Sequence, residues 1–155
     1  MIPDYIPSYF NSEELNSLKA VEGVRLEKVL YTIWRNIAKK DAIYEALDWI
    51  SLQFEDGQII HLTTNEQQNG MTLGDLNFSL EQTKVIQQFN GQVELKQVDM
   101  SLSPIWKDVL GRPLDSVGLS SPLDGFFQSN VIQLAFSGKN IEISLGEEGL
   151  LAYEQ

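Results

Sequence analysis

Apolar and polar residues in this chain follow the two spacings that distinguish helices from strands. Near the N-terminus, Leu15, Leu18 and Val21 recur every three residues, the spacing of one helix face. Asn11 precedes this run and Glu14 stands three positions later, which is the pattern of a capping box. The pattern therefore predicts a short amphipathic helix at the start of the chain.

Strict alternation marks candidate strands farther on. Residues 49–54 read Trp-Ile-Ser-Leu-Gln-Phe, and residues 131–136 read Val-Ile-Gln-Leu-Ala-Phe. Such alternation is typical of a strand with one buried face. A glycine-containing turn and a second apolar segment follow each of them, with the turns at 55–58 and 137–140. Both segments are predicted to form β-hairpins.

The hairpins belong to a longer match between the two halves. Residues 19–29 align without gaps with residues 107–117, with identical Lys, Val, Gly, Leu and Val. In each copy the Gly stands where a helix would stop, because it favours a left-handed conformation. The helix of the second copy would begin with Pro104 at its first position. The pattern predicts two similar helix–Gly–strand–hairpin units, at 11–65 and 103–153; chance similarity of amphipathic segments is the alternative.

The segment between these units is less regular. Residues 65–70 are polar and predict a loop, followed by a short strand near Met71. Residues 80–89 fit either a helix or a strand, and residues 93–98 alternate as in a strand. No Pro-rich or low-complexity linker interrupts the 155 residues, which fits a single domain. We expect an α+β fold with a mainly antiparallel sheet and a few short helices packed on it.

Charge sets this domain apart. The chain carries 22 Asp and Glu against 11 Lys and Arg, a formal net charge of −11. Residues 1–40 hold five of these acids and six of the bases, whereas residues 41–155 hold seventeen acids and five bases. An acidic surface repels nucleic acids and anionic lipids and attracts basic proteins. We therefore expect a protein partner, and neither nucleic acid nor membrane.

The compartment is suggested by what the sequence lacks. The N-terminal residues show no basic region followed by an apolar run, as a secretion signal would. No stretch approaches the roughly 20 apolar residues that span a bilayer. The absence of cysteine fits a reducing compartment. These features predict a cytoplasmic protein.

Apart from the carboxylates, few side chains in the sequence are of the types that serve in catalysis or metal binding. His61 is the only histidine, and Ser51 across the first hairpin could pair with it as nucleophile and base. No local signature supports that pair, so a sheet histidine beside a polar neighbour is the simpler interpretation. One histidine and no cysteine rule out the common zinc sets, and no calcium or phosphate loop is present. We expect no enzymatic activity, no metal and no cofactor.

Acidic and aromatic residues stand together in two connections, 36–48 and 118–130. These connections occupy matching positions in the two units and are expected to lie outside the regular sheet. Aromatic anchors ringed by charge are typical of protein interfaces, although the aromatic residues could instead cover the core. We predict that these two connections and the acidic hairpin turn at 55–58 bind the partner. The predicted partner-binding residues are Asp41, Tyr44, Glu45, Asp48, Glu55, Asp56, Asp124, Phe126 and Phe127.

This acidic chain with matching halves and no catalytic set resembles bacterial immunity proteins, which neutralise polymorphic or contact-delivered toxins. The residues that carry the resemblance are Gly23-x-x-Leu26-x-x-Val29, then Ile50-x-Leu52-x-Phe54-x-x-Gly57, and a second copy from Gly111. The resemblance implies a stoichiometric inhibitor of a cognate toxin, often a nuclease, that occludes the toxin's active site.

Two other functions stay open. A small-ligand-binding or weakly catalytic domain would use a cleft between the two units, with His61 and nearby carboxylates as its polar groups. A non-catalytic adaptor or structural protein would be acidic only for solubility.

Overall fold

A computed structural model describes residues 6–155, which form two antiparallel sheets and two short helices. The helices are α1 (Ser12–Ala20) and α2 (Phe78–Gln88). The first sheet contains β1 (Leu26–Asn36), β2 (Tyr44–Phe54), β3 (Ile59–Thr64), β4 (Met71–Leu73) and β5 (Val93–Asp99). The second sheet contains β6 (Ser116–Leu119), β7 (Val131–Phe136), β8 (Lys139–Gly146) and β9 (Gly149–Glu154). The α+β class with antiparallel strands is confirmed, with two sheets where one was expected.

The core lies between the two sheets. Strand order is β4-β3-β2-β1-β5 in the first sheet and β6-β7-β8-β9 in the second. The inward residues of β2 and β7 are the alternating apolar ones that the sequence predicts. They are Ile50, Leu52, Phe54, Ile132, Leu134 and Phe136, all at most 2% exposed. They share one cluster, so the two sheets bury a common core.

Helix α1 begins with the predicted capping box. The Asn11 side chain accepts a hydrogen bond from the Glu14 amide, and the Glu14 carboxylate accepts one from the Asn11 amide. Leu18 is buried, and Gly23 takes a φ of 84° just after the helix. Neither helix in residues 6–155 has the length and apolarity needed to cross a lipid bilayer.

The predicted helix after Pro104 is wrong. This segment forms successive turns, in which Trp106 and Lys107 both donate to the carbonyl of Ser103. The segment is too short to repay helix nucleation, and burial of Trp106 and Val109 in the core fixes its conformation instead. The apolar pattern identified the buried positions but not the backbone geometry.

The connection expected at 36–48 is also shorter than predicted. Strand β2 begins at Tyr44, so the segment between β1 and β2 is only 37–43. The polar ends of these strands still pair, and Arg35 on β1 lies opposite Glu45 on β2. A pair of opposite charges takes the place of apolar alternation here. Hydrophobicity alone therefore did not identify the first residues of β2 as strand.

Helix α2 lies in a segment of ambiguous pattern, and strand β9 in one for which no strand was predicted. Of residues 80–89, which fit either state, residues 80–88 belong to helix α2, and Asn77 caps its first turn. Strand β9 was not predicted beyond the turn at Glu147 and Glu148. That turn is exposed, and it joins β8 to β9.

The segments that match in sequence lie side by side. Arg25 and Pro113 form an isolated antiparallel bridge, and they are aligned residues in the match. Two pairs of hydrogen bonds flank it, from Gly23 N to Leu114 O, Gly111 N to Leu26 O, Leu26 N to Arg112 O and Leu114 N to Val24 O. This contact ties the entrance of β1 to that of β6. The internal repeat itself stays a prediction.

Candidate functional site

A groove of about 710 Å³ opens between the start of β2, the loop after β3 and the β8–β9 hairpin. We call it the acidic groove, because four carboxylate side chains line it together with two aromatic rings. These residues are Asp48, Glu66, Glu147, Glu148, Trp34 and Tyr44. None of the residues lining it within 6–155 is Lys, Arg or His.

A glycine brings the second sheet against the first at this groove. Gly149, the first residue of β9, has a φ of 120°. A Cβ atom on Gly149 would lie 2.5 Å from the backbone oxygen of Leu47 on β2. Only a residue without a side chain permits this approach. It places the turn of Glu147 and Glu148 beside β2, where it forms one wall of the groove.

The aromatic wall comes from neighbouring strands of the first sheet. The rings of Trp34 on β1 and Tyr44 on β2 meet edge to face, with centroids 6.1 Å apart. Phe89, just after α2, meets Trp34 from another side at 5.9 Å. Edge-to-face contacts of this kind hold aromatic rings in fixed orientations. Tyr44 nevertheless keeps 41% of its surface exposed.

Asp48 has the least solvated carboxylate of the groove. The register of β1 and β2 shifts between Thr32 and Ile33, where Asp48 is the extra residue of a β-bulge. Burial raises the pKa of Asp48, and the negative charge of Glu81 on α2 raises it further. Its side chain has no hydrogen-bond partner or ion pair in residues 6–155. The ionised form is thus unfavourable in the free chain, and a cation in the groove would stabilise it.

Of the nine predicted partner-binding residues, the structure brings only Tyr44 and Asp48 into this groove. Glu45 neighbours both in sequence, but its carboxylate pairs with Arg35 at 2.8 Å. Asp41 lies exposed in the turn between β1 and β2.

Glu55 and Asp56 lie at the opposite end of β2, in its turn to β3. Asp56 accepts hydrogen bonds from the backbone and side chain of Gln58, and these bonds lower the pKa of Asp56. Tyr44 is the first residue of this eleven-residue strand, so the turn at its other end lies roughly 30 Å away from Tyr44. The Asp56 carboxylate therefore stabilises the turn and lies far from the acidic groove.

Asp124, Phe126 and Phe127 lie in the loop between β6 and β7. Phe126 is 56% exposed and meets the ring of Tyr9 at 5.7 Å. Phe127 is half-buried and lines a separate groove beside α1. The nine residues therefore lie on several surfaces rather than one.

The sequence alone did not identify Trp34, Glu66, Glu147 or Glu148 as members of the site. The Gly-Glu-Glu-Gly sequence at 146–149 does signal a tight acidic turn. Its position beside β2 depends on the contact at Leu47, which is distant in sequence. No local pattern could have revealed that proximity.

The Ser51–His61 pair forms, but in a way that favours the simpler interpretation. Ser51 Oγ lies 2.7 Å from His61 Nδ1, across β2 and β3. Ser51 is fully buried, so its hydroxyl cannot reach a substrate. Burial lowers the pKa of His61, and the charge of Asp75 partly opposes that shift. The bond satisfies a buried hydroxyl.

His61 also lies away from the acidic groove. It lines a smaller groove of about 250 Å³ beside α1, together with the carboxylate residues Glu13, Glu14 and Asp75. Within residues 6–155 no group of three His, Asp or Glu side chains could hold a metal ion. Comparisons with family models, curated proteins and solved structures give no match.

Proposed function

We propose that this chain is an immunity-type protein, which binds a basic bacterial toxin through the acidic groove and occludes the toxin's active site. The observation that carries this proposal is a groove with four carboxylates and no cation among its lining residues in the described chain. The resemblance in sequence supports the toxin class, and the groove supports the basic character of the partner.

The groove suits a Lys or Arg side chain from the partner. Trp34 and Tyr44 supply aromatic faces and edges near the carboxylates, and a cation beside such rings gains a cation–π contact. The half-buried Asp48 would gain a counter-ion that it lacks in the free chain. A toxin site built for phosphate would be rich in such cations, so the groove could stand in for the substrate's charge.

The direct test is co-expression of the chain with the product of the neighbouring gene. We expect the two proteins to co-purify as a stoichiometric complex, and we expect the chain to restore growth to cells that make the toxin. If neither that product nor any basic toxin domain forms a complex, the immunity function is wrong.

A charge-matched pair of variants assigns the surface. The groove variant replaces Glu66, Glu147 and Glu148 with Gln, and the control variant replaces the exposed residues Glu27, Glu55 and Asp124 with Gln, Gln and Asn. Both variants remove the same charge. Because steering depends on local potential, we expect the groove variant to associate at least about tenfold more slowly at low salt. Equal slowing by both variants would assign the effect to net charge.

We also propose that the two halves, 11–65 and 103–153, are copies of one unit. The aligned residues have equivalent cross-strand partners, since Val29 pairs with Leu52 in the first half and Val117 pairs with Leu134 in the second. The acidic groove would then be the cleft between the units. A test is to express residues 1–102 and 103–155 as separate chains: mixed chains that reconstitute the native circular dichroism spectrum would support a modular origin, and inert mixtures would count against it.

That cleft also favours a second candidate function, the binding of a small cationic ligand. Its volume of about 710 Å³ falls within the range of roughly 300–1,000 Å³ seen for ligand sites. Spermidine and arginine methyl ester are suitable probes in a thermal-shift assay. A saturable rise in melting temperature, lost in the groove variant, would favour this function over a protein partner.

A further inference from the structure

Two carboxylates, one in helix α1 and one in the turn that follows it, cover one edge of each sheet. Glu14 Oε2 accepts a hydrogen bond of 2.8 Å from the amide of Leu73 on β4. Glu22 Oε2 accepts one of 2.9 Å from the amide of Val117 on β6. Both strands are sheet edges, where unpaired backbone groups would otherwise invite another strand. Helix α1 and the turn after it therefore block pairing at two edges.

A side chain of α2 covers a third edge. The Gln82 amide donates to the carbonyl of Leu95 and accepts from its N–H, both at 2.7 Å. Leu95 belongs to β5, the other edge strand of the first sheet. The amide side chain thus takes the place that a neighbouring strand would occupy.

Strand β9, the remaining edge, has no such cover. The backbone N–H of Gln155, just after β9, donates to the backbone carbonyl of Asn140 on β8. Because an antiparallel ladder alternates, the N–H and C=O groups of Ala152 and Glu154 then face away from β8. Within residues 6–155 no side chain or loop backbone hydrogen-bonds to these outward groups.

The surroundings of β9 also suit a partner segment. Leu151 and Tyr153 are 51% and 42% exposed, so apolar surface accompanies the open backbone. Gly149 at the start of β9 lines the acidic groove, which makes the edge and the groove continuous. Glu147 and Glu148 stand at that junction.

We propose that β9 receives an extended, basic segment of the protein partner, which adds a strand to the second sheet while a Lys or Arg enters the acidic groove. This inference rests on the proposed function and specifies how the partner docks. Backbone hydrogen bonds give affinity in strand addition, and side-chain pockets give specificity. A second copy of the chain is disfavoured, since antiparallel β9 strands would bring Glu147 and Glu148 of one copy toward Glu154 of the other.

The first test uses a short synthetic peptide that alternates Lys and Val, with hydrogen exchange followed by NMR. In the free chain, the amides of Ala152 and Glu154 should exchange rapidly, whereas the covered amides of Leu73 and Leu95 should exchange slowly. Adding the peptide should protect Ala152 and Glu154. The control peptide carries the same charges but is N-methylated at alternate residues, so it cannot form the ladder and should give no protection.

The outcomes separate this inference from the proposed function. If both peptides bind equally and their binding is lost in the groove variant, charge drives binding and strand addition is wrong, while the function stands. If neither peptide protects the β9 amides, strand addition is wrong as well.

The second test acts on the chain itself. Ala152→Pro removes an outward N–H that β8 does not use, and Ala152→Val keeps that N–H with similar bulk. We expect the proline variant to keep its fold and to bind the Lys–Val peptide at least about fivefold more weakly than the valine control. Equal affinity of the two folded variants would overturn the proposal. A wild-type dimer that Ala152→Pro converts to monomer would overturn it too, because the occupant would be a second copy.

Discussion

The close approach of β9 to β2 forms one wall of the acidic groove. A substitution that adds one methyl group at this contact tests whether the two strands lie so close. Gly149→Ala places a Cβ atom 2.5 Å from Leu47 O, 3.2 Å from Leu47 N and 3.3 Å from Leu47 C. All three are backbone atoms, so no side-chain rotation relieves the contact. The two strands must separate by about 0.5 Å to reach 3.0 Å, the lower limit of such contacts.

Two costs add at this position. A φ of 120° is a conformation that alanine rarely adopts, and strain of this kind costs about 1–3 kcal/mol. Overpacking of a tight contact costs about another 1–3 kcal/mol. The expected loss is therefore about 2–6 kcal/mol, a large part of the roughly 5–15 kcal/mol that stabilises a typical domain.

Gly138→Ala is the matched control. Gly138 has a φ of 90° in the turn between β7 and β8, and a Cβ atom there would have no neighbour within 4 Å. Gly138→Ala therefore causes the same kind of backbone strain as Gly149→Ala but no steric overlap. Guanidinium unfolding followed by tryptophan fluorescence compares the two variants. We expect Gly149→Ala to lose about 1–3 kcal/mol more than Gly138→Ala. Equal losses would refute the close approach of β9 to Leu47, and with it one wall of the groove.

Three other variants test the core and the titratable groups. Tyr31→Phe removes the hydroxyl that accepts from Trp106 Nε1 at 2.8 Å, and the orphaned buried donor should cost about 1–3 kcal/mol in guanidinium unfolding; unchanged stability would contradict the pairing. Because burial and Glu81 raise the pKa of Asp48, its carboxyl stabilises the fold most below about pH 3.9 and loses that contribution as pH rises through the folded pKa. Asp48→Asn should therefore raise the melting temperature at pH 7 and lose this advantage in acid, and a lower melting temperature at pH 7 would count against the reasoning. Because burial lowers the pKa of His61, its contribution is present above about pH 6.5 and is lost as pH falls through the folded pKa. His61→Gln should flatten melting temperature against pH below that point, and an unchanged slope would show that another group titrates.

Local physical chemistry made much of the fold predictable. The alternating residues at 49–54 and 131–136 form β2 and β7 with their apolar positions buried, because a strand with one buried face requires that period. Asn11 and Glu14 form the capping box, which depends only on side chains three residues apart. These two features have short-range causes, which is why the sequence alone predicted them.

The site could not be predicted in the same way. Tyr44 and Asp48 lie in a strand whose polar end is held by pairing with β1, so no apolar alternation marks it. Glu66 and Glu147 come from distant parts of the chain and meet only because Gly149 approaches β2. Charge density after residue 40 predicted an acidic surface, but only tertiary packing gathers four of its carboxylates into one groove.

The most direct test of a groove that binds a basic partner is the salt dependence of association. Stopped-flow mixing of the chain with the neighbouring gene product would give the association rate over a range of ionic strength. Because charges are screened beyond roughly 8 Å in physiological salt, we expect the wild-type rate to fall steeply as salt rises. The groove variant should be slow with a shallow salt dependence, and the charge-matched control should resemble the wild type. A control variant that is slowed as much as the groove variant would contradict the central claim.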